Sequence, residues 1–357
     1  MRKLALFLLV LCFGSADHAL ANEKATAIVN AAINGFIRSA YSGFANSAGA
    51  LDDAMDALCV EPSSEKLEAA RQAFKGATEA WSYAEIIRFG PVTEENRLER
   101  LLFWPDRKGI GLKQVQATLA NKDAAAADPE QLAEKSVAVQ GFGALEFVLF
   151  GTDSDALAAA GDPYRCRYGA AIAANIAGIA GDLDAEWAVP DGFAKKWANP
   201  GPSNPLYQSG TESVTELLEV FVNGLELVRD VRLNAFLGHA AGQDKPKQAI
   251  YWRSEGTARS LGANIAGMKA LFDASGLGND LPPDLRWIAE SIGFEFSNAV
   301  NATKGAEGPI DAVLADETKR GKLVYFAIVT SSLSDLFGKR LSEAYGLTAG
   351  FSSLDGD

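Results

Sequence analysis

Apolar residues recur along most of the chain at spacings of three and four, the period of an amphipathic helix. From Ile33 they run through Phe36, Ile37, Tyr41, Phe44, Ala48, Leu51, Met55 and Leu58, which predicts one long helix. Ser63 or Ser64 caps the next, with Glu65 and Glu68 in its opening turns. Leu67, Ala70, Phe74, Ala77, Trp81 and Ala84 form its buried stripe, and Gly90-Pro91 is the expected stop. Asp128-Pro129 and Asp162-Pro163 each place a capping acid before a proline at the first helical position. Periodicity resumes at Leu217, Leu218, Phe221, Leu225 and Val228, breaks at Gly278 to Pro283, and predicts a last long helix from Ile310 to Tyr345. Strand-type alternation is weak throughout.

Between these helical blocks, Pro190, Gly192, Pro200, Gly201, Pro202, Pro205 and Gly210 exclude one continuous packed helix. The stretch 191–210 is therefore the expected linker between an N-terminal helical bundle at 22–190 and a C-terminal one at 211–357. Ala174-Asn175-Ile176-Ala177-Gly178 recurs as Ala263-Asn264-Ile265-Ala266-Gly267, a pattern that either duplication or chance in alanine-rich helices produces. The expected class is all-α, two tandem bundle-like halves.

The first residues are expected to be removed and to take no part in this fold. Arg2 and Lys3, the apolar run Leu4 to Phe13 and the small-x-small Ala19-Leu20-Ala21 make residues 1–21 a secretory signal peptide, too short to span a bilayer. Leu11 is large where a lipoprotein signal carries a small residue, which argues against lipidation at Cys12. No later apolar run is long enough to cross a membrane, so the expected product is exported, periplasmic and without a transmembrane segment.

Export changes what the composition means. With 33 Lys+Arg against 46 Asp+Glu and no basic stripe, nucleic acid is excluded as the main partner. Of two histidines only His239 survives signal removal, at a helix end beside Gly238, so a His/Cys zinc site cannot be assembled. Cys59 and Cys166, the two remaining cysteines, meet an oxidising compartment and are expected as a disulfide, or else as two buried thiols.

Chemistry is then sought where packing alone would not put a residue. Glu146 sits in Val137-Ala138-Val139-Gln140-Gly141-Phe142-Gly143-Ala144-Leu145-Glu146-Phe147-Val148-Leu149-Phe150, apolar on every helical face. Such a helix is buried, and its carboxylate must be paired, hydrogen-bonded or metal-bound. Gly141 and Gly143 weaken the helix, which implies close backbone approach or an open pocket. Trp81, Glu85 and Arg88 lie at i, i+4 and i+7, where Glu85 and Arg88 can form a helix-end salt bridge. Phe103-Trp104-Pro105-Asp106 ends a helix with an aromatic and an acid, and Tyr251-Trp252-Arg253-Ser254 opens one in the second half. The acidic end, Gly350 to Asp357, reads as a frayed tail.

Together these clusters resemble the imelysin family of exported bacterial proteins. The matching stretches are Ala80-Trp81 through Arg88-Phe89-Gly90-Pro91, Trp104-Pro105-Asp106, the Gly141–Gly151 segment, Arg253-Ser254 and the closing Gly350-Phe351 to Asp357. The resemblance implies two helical bundle-like halves, a periplasmic or cell-surface location and association with iron uptake or regulation; some members are described as metallopeptidases. The family signature on the buried helix is G-x-H-x-x-E, whose His and Glu are proposed metal ligands. Here it reads Gly141-Phe142-Gly143-Ala144-Leu145-Glu146, with Gly143 in the histidine position.

The expected function is a non-catalytic binding protein linked to iron or metal uptake. Its cleft would be built from Trp81, Glu85, Arg88, Trp104, Asp106, Gly143, Glu146, Arg253 and Ser254, and would hold a small polar ligand, a metal or a metal chelate. Glu146 is the one expected metal ligand, for iron or another hard cation that accepts carboxylate oxygen, whereas Arg88 or Arg253 nearby would favour an anion. The alternatives are a metallopeptidase of the imelysin type, and a cell-envelope protein that binds a protein partner and keeps only a vestigial site.

Overall fold

The computed structural model describes residues 22–347, except 107 and 160. The expected signal peptide, Cys12 and the acidic tail lie outside the described residues. Among the described residues there are helices and turns but no strand, so the all-α class holds.

Helix α1 occupies residues 22–60, loosened to a π turn at Ile33–Ile37 before the regular stretch Arg38–Val60. Its buried face, Tyr41, Phe44, Ala48, Leu51, Met55 and Leu58, is the face that the spacing predicts. Helix α2, Ser64–Ala84, starts where Ser63 accepts the Lys66 N–H. It ends six residues before Gly90, and this early stop decides where Arg88 goes. Helix α3 is Ile110–Asn121, and the short buried helix α4 is Phe142–Phe150. Helix α5, Pro163–Ala188, is capped by Asp162 accepting from Arg165 N, with proline in its first turn. Helices α1, α2 and α5 pack side by side and α4 covers α5. Cys59 at the end of α1 and Cys166 at the start of α5 are joined by a disulfide.

The proline- and glycine-rich stretch 191–210 is not bare chain. It contains the short helix Phe193–Ala198, whose Trp197 is fully buried against Phe89 and Trp187 and donates Nε1–H to the Ser213 carbonyl. Beyond it, helix α6 is Gly210–Glu226 and runs on through a π turn at Leu227–Leu233. Helices α7, Thr257–Ser275, and α8, Trp287–Lys304, follow. The single helix expected from Ile310 to Tyr345 is divided: Ile310–Ala315 stops at Asp316, whose side chain accepts from Lys319 N and starts α9, Glu317–Asp335. A capping acid wins over unbroken apolar spacing because it satisfies an amide of a new first turn.

The two halves share one continuous apolar core. Helix α7 of the second half lies on α2 of the first, so closely that a Cβ on Gly267 would come 2.2 Å from the Tyr83 carbonyl oxygen. Beside that crossing sits a buried polar network. Arg232 Nη1 and Nη2 donate to Glu85 Oε1 and Oε2 at 2.6 and 2.7 Å, and Nη1 also donates to Asn264 Oδ1 at 2.6 Å. The Asn264 amide returns hydrogen bonds to the Ser82 carbonyl and to Glu85 Oε1. Asn264 belongs to the repeated Ala-Asn-Ile-Ala-Gly motif. Its counterpart Asn175 is likewise buried and likewise accepts from an arginine, Arg100 Nη2, at 2.7 Å.

A fork-to-fork guanidinium–carboxylate pair in a dry interface is costly to break, because the survivor keeps its charge without a partner. Glu85→Ala is therefore expected to lower unfolding free energy by about 3–5 kcal/mol, measured by urea denaturation. A loss below about 1 kcal/mol, the scale of an exposed ion pair, would show that this network does not hold the halves together.

Candidate ligand cavity

A cavity of about 640 Å³ opens between the halves. From the first half it is lined by the coil Leu102 to Asp106 and by Gly143, Glu146 and Phe147 of α4; from the second it is lined by the π-turn flank of α6 and the segment Lys245 to Arg253. The two glycines of α4 have opposite reasons. A Cβ on Gly141 would lie 2.4 Å from the Leu101 carbonyl oxygen, so glycine lets α4 press against the chain that leads into Trp104. A Cβ on Gly143 would meet nothing within 4 Å, and this position faces open cavity.

Glu146, one turn beyond Gly143 on the same face of α4, is buried. Its Oε1 accepts three hydrogen bonds from the second half: Arg253 N at 3.1 Å, Ser254 N at 3.0 Å and Ser254 Oγ at 2.8 Å. Oε2 accepts none among the described residues and lies 4.0 Å from Arg253 Nη1. Burial pushes the carboxyl above the ordinary value, against the pull of the Ser254 and Arg253 donors. The turn it holds is strained, with φ at +53° for Tyr251 and +61° for Glu255, a region that L side chains enter at a cost of about 1–2 kcal/mol each. Glu146 thus offsets strain in the turn that carries Arg253.

The Arg253 guanidinium stacks on Trp252, 4.4 Å from the ring centroid, and sits 5.5 Å from that of Phe147. Its side chain is 20% exposed and, among the described residues, makes no hydrogen bond; the 4.0 Å approach to Glu146 is its one ion pair. Lys247, exposed, stands over the same indole, 5.9 Å from the Trp252 centroid, and neither it nor the exposed Lys245 forms an ion pair among the described residues. The other lining acids are engaged. Asp106 accepts from Ile110 N and Leu112 N and so caps α3, and Asp230 is held by Arg229 at 2.6 Å. The cavity therefore offers uncommitted positive charge against aromatic walls, inside a protein of net charge −13.

Several expected site residues lie elsewhere. Trp81 is buried in the core against Phe44 and does not line the cavity. Glu85 is committed to Arg232, not to Arg88: α2 ends at Ala84, the helical register fails, and Arg88 turns out to solvent. Ser254 is behind the wall, bonded to Glu146. Trp104, Asp106, Gly143, Glu146 and Arg253 do come together. His239 is exposed in a loop after the α6 helix. Arg232 had no distinguishing sequence signal, since a lone arginine in an apolar helical run commonly faces solvent. Phe147 and Lys247 gain meaning only once Arg253 is seen between aromatic rings.

The donor set does not suit a resident metal ion. Among the described residues no three His, Cys, Asp or Glu side chains converge. Glu146 spends one oxygen on three N–H and O–H donors and turns the other towards a guanidinium, whose charge repels a cation.

Comparison with known proteins agrees with this architecture. The sequence matches the imelysin family (peptidase M75) over residues 37–334, and the chain belongs to that family. It is 24% identical over 320 residues to iron-regulated protein A of Synechococcus elongatus, covering 85% of this chain and 83% of that protein. The fold superposes on an imelysin-like protein from Psychrobacter arcticum with a TM-score of 0.73 and 17% identity, covering 92% of this chain and 98% of the other. No helix among the described residues is long and apolar enough to cross a membrane.

Because burial raises the folded-state pKa of Glu146, the native protein binds a proton more tightly than the unfolded chain in the window between the ordinary and the raised value. This contribution to stability is complete below the ordinary carboxylate pKa and is lost as pH rises through the raised one. Glu146→Gln is expected to flatten that slope while keeping an acceptor for the turn. Glu146→Ala, which strands buried donors, is expected to cost about 2–4 kcal/mol. Urea titrations across pH 4–8 test both, and an unchanged slope in Glu146→Gln would contradict the assignment.

Proposed function

We propose that this imelysin-family chain is an exported, non-catalytic periplasmic binding protein acting in iron or metal acquisition, and that it takes up its ligand as a small anion or anionic metal chelate. The observation that carries the reading is the state of the charges in the cavity: every lining carboxylate is already engaged, except one oxygen of Glu146, while among the described residues Lys245 and Lys247 form no ion pair and the Arg253 guanidinium has only its 4.0 Å approach to Glu146. A guanidinium desolvated between two aromatic rings binds carboxylate or phosphate oxygen strongly and directionally. The volume, about 640 Å³, is in the range of small-molecule sites. The link to iron rests on family membership and on the iron-regulated name of the cyanobacterial relative.

A metallopeptidase reading requires a metal to activate water and a separate general base. With Gly143 at the histidine position and Glu146 tied to the 253–254 amides, neither role is supplied by the residues in the cavity.

Calorimetric titration of the mature protein with ferric citrate, with citrate alone and with ferric or zinc salt alone separates these readings. Anion or chelate binding is expected, weakened about tenfold or more in Arg253→Ala, the scale of one charge-assisted contact. Stoichiometric binding of bare metal, abolished by Glu146→Gln, would overturn the proposal, as would cleavage of a peptide library that a chelator suppresses.

A further inference from the structure

Resting on the anion-binding reading of the same cavity, the geometry points to the chemical head group it selects: we infer a carboxylate carrying a hydrogen-bond donor, hydroxyl or ammonium, on the adjacent carbon, seated in the volume that Gly143 leaves open. Three observations converge there. The Gly143 position has open space around its missing side chain and lies one turn from Glu146 on the cavity face of α4. Glu146 Oε2 accepts no hydrogen bond among the described residues, although Oε1 of the same carboxylate accepts three. Arg253 Nη1 lies 4.0 Å from that oxygen and has no hydrogen-bond acceptor among the described residues.

Acceptor and donor requirements are thus set side by side at one point of the wall. A hydrogen bond spans about 2.8 Å, so two neighbouring ligand atoms can meet Nη1 and Oε2 together across the 4.0 Å gap. An acceptor on the ligand answers the arginine, and a donor answers the glutamate. Two carboxylate oxygens would satisfy only the arginine and would set a second acceptor against Oε2 with no donor between them. An imidazole at position 143 would fill the space where this head group sits, so glycine there changes what the cavity can hold. Phe147 and Trp252 both lie against the Arg253 guanidinium and restrict where it can point.

L-Malate, L-aspartate and succinate share one carbon skeleton and differ only in the donor: hydroxyl, ammonium or none. Calorimetry at neutral pH is expected to show malate or aspartate binding about tenfold or more tighter than succinate, because a site with a buried acceptor rejects the analogue that cannot fill it. The malate and aspartate arms distinguish a hydroxy acid from an amino acid. Gly143→Leu is expected to lose about tenfold or more of that affinity with its melting temperature unchanged or raised, since leucine suits the helix better than glycine and meets no neighbour at Cβ. Equal binding of all three acids, or full affinity in folded Gly143→Leu, would overturn the head-group assignment while leaving an Arg253-dependent anion cavity standing. Failure of the wild-type protein to bind malate and aspartate would overturn it as well. In that case the citrate and ferric citrate titrations decide separately whether the cavity binds anions.

Discussion

The structure depends on how a carboxylate is accommodated on a helix that is otherwise apolar. Glu146 cannot be buried without donors, and its own half of the chain provides none. The donors come from the Arg253–Ser254 turn of the other half, which needs an acceptor to hold Tyr251 and Glu255 at positive φ. Each side supplies what the other lacks, and the contact fixes the two halves at the point where the cavity opens. Arg253 is carried into the cavity by the same turn, so the geometry that buries the acid also presents the cation.

A second acid–arginine contact, Glu85 with Arg232, ties the halves at the α2–α7 crossing. Its charges are fully matched and closed to solvent, whereas the Glu146–Arg253 pair is held apart at 4.0 Å with open space beside it. Two pairs of the same chemical type thus do different work. One is closed and structural; the other leaves a donor and an acceptor facing a cavity. The asparagine of the repeated motif belongs to the closed network, which explains why that polar residue sits within an alanine-rich helix.

Most of the fold was legible in the sequence because helical spacing, capping acids and Pro/Gly breaks are local signals. The α1 stripe and the Ser63 and Asp162 caps appear where the pattern puts them. The failures are also local in origin. Apolar spacing ran on past Asp316, where a cap interrupts the helix, and past Ala84, where α2 ends early and separates Glu85 from Arg88. The site was half legible. Glu146 and Gly143 stood out because a charge and a helix-weakening residue occupied an apolar helix, and Trp104, Asp106 and Arg253 do line the cavity. The partner of Glu85 and the contact of Phe147 with Arg253 were hidden, because both join residues more than a hundred positions apart.

Whether Glu146 is held by the turn or by a metal can be read directly from the amides that donate to it. Hydrogen–deuterium exchange resolved at Arg253 and Ser254 should show both amides protected in the wild-type protein, equally so with added chelator or with added zinc or ferric ion. Protection should be lost in Glu146→Ala. Amides that exchange freely until metal is added, or that stay protected without the glutamate, would contradict the role given to this carboxylate.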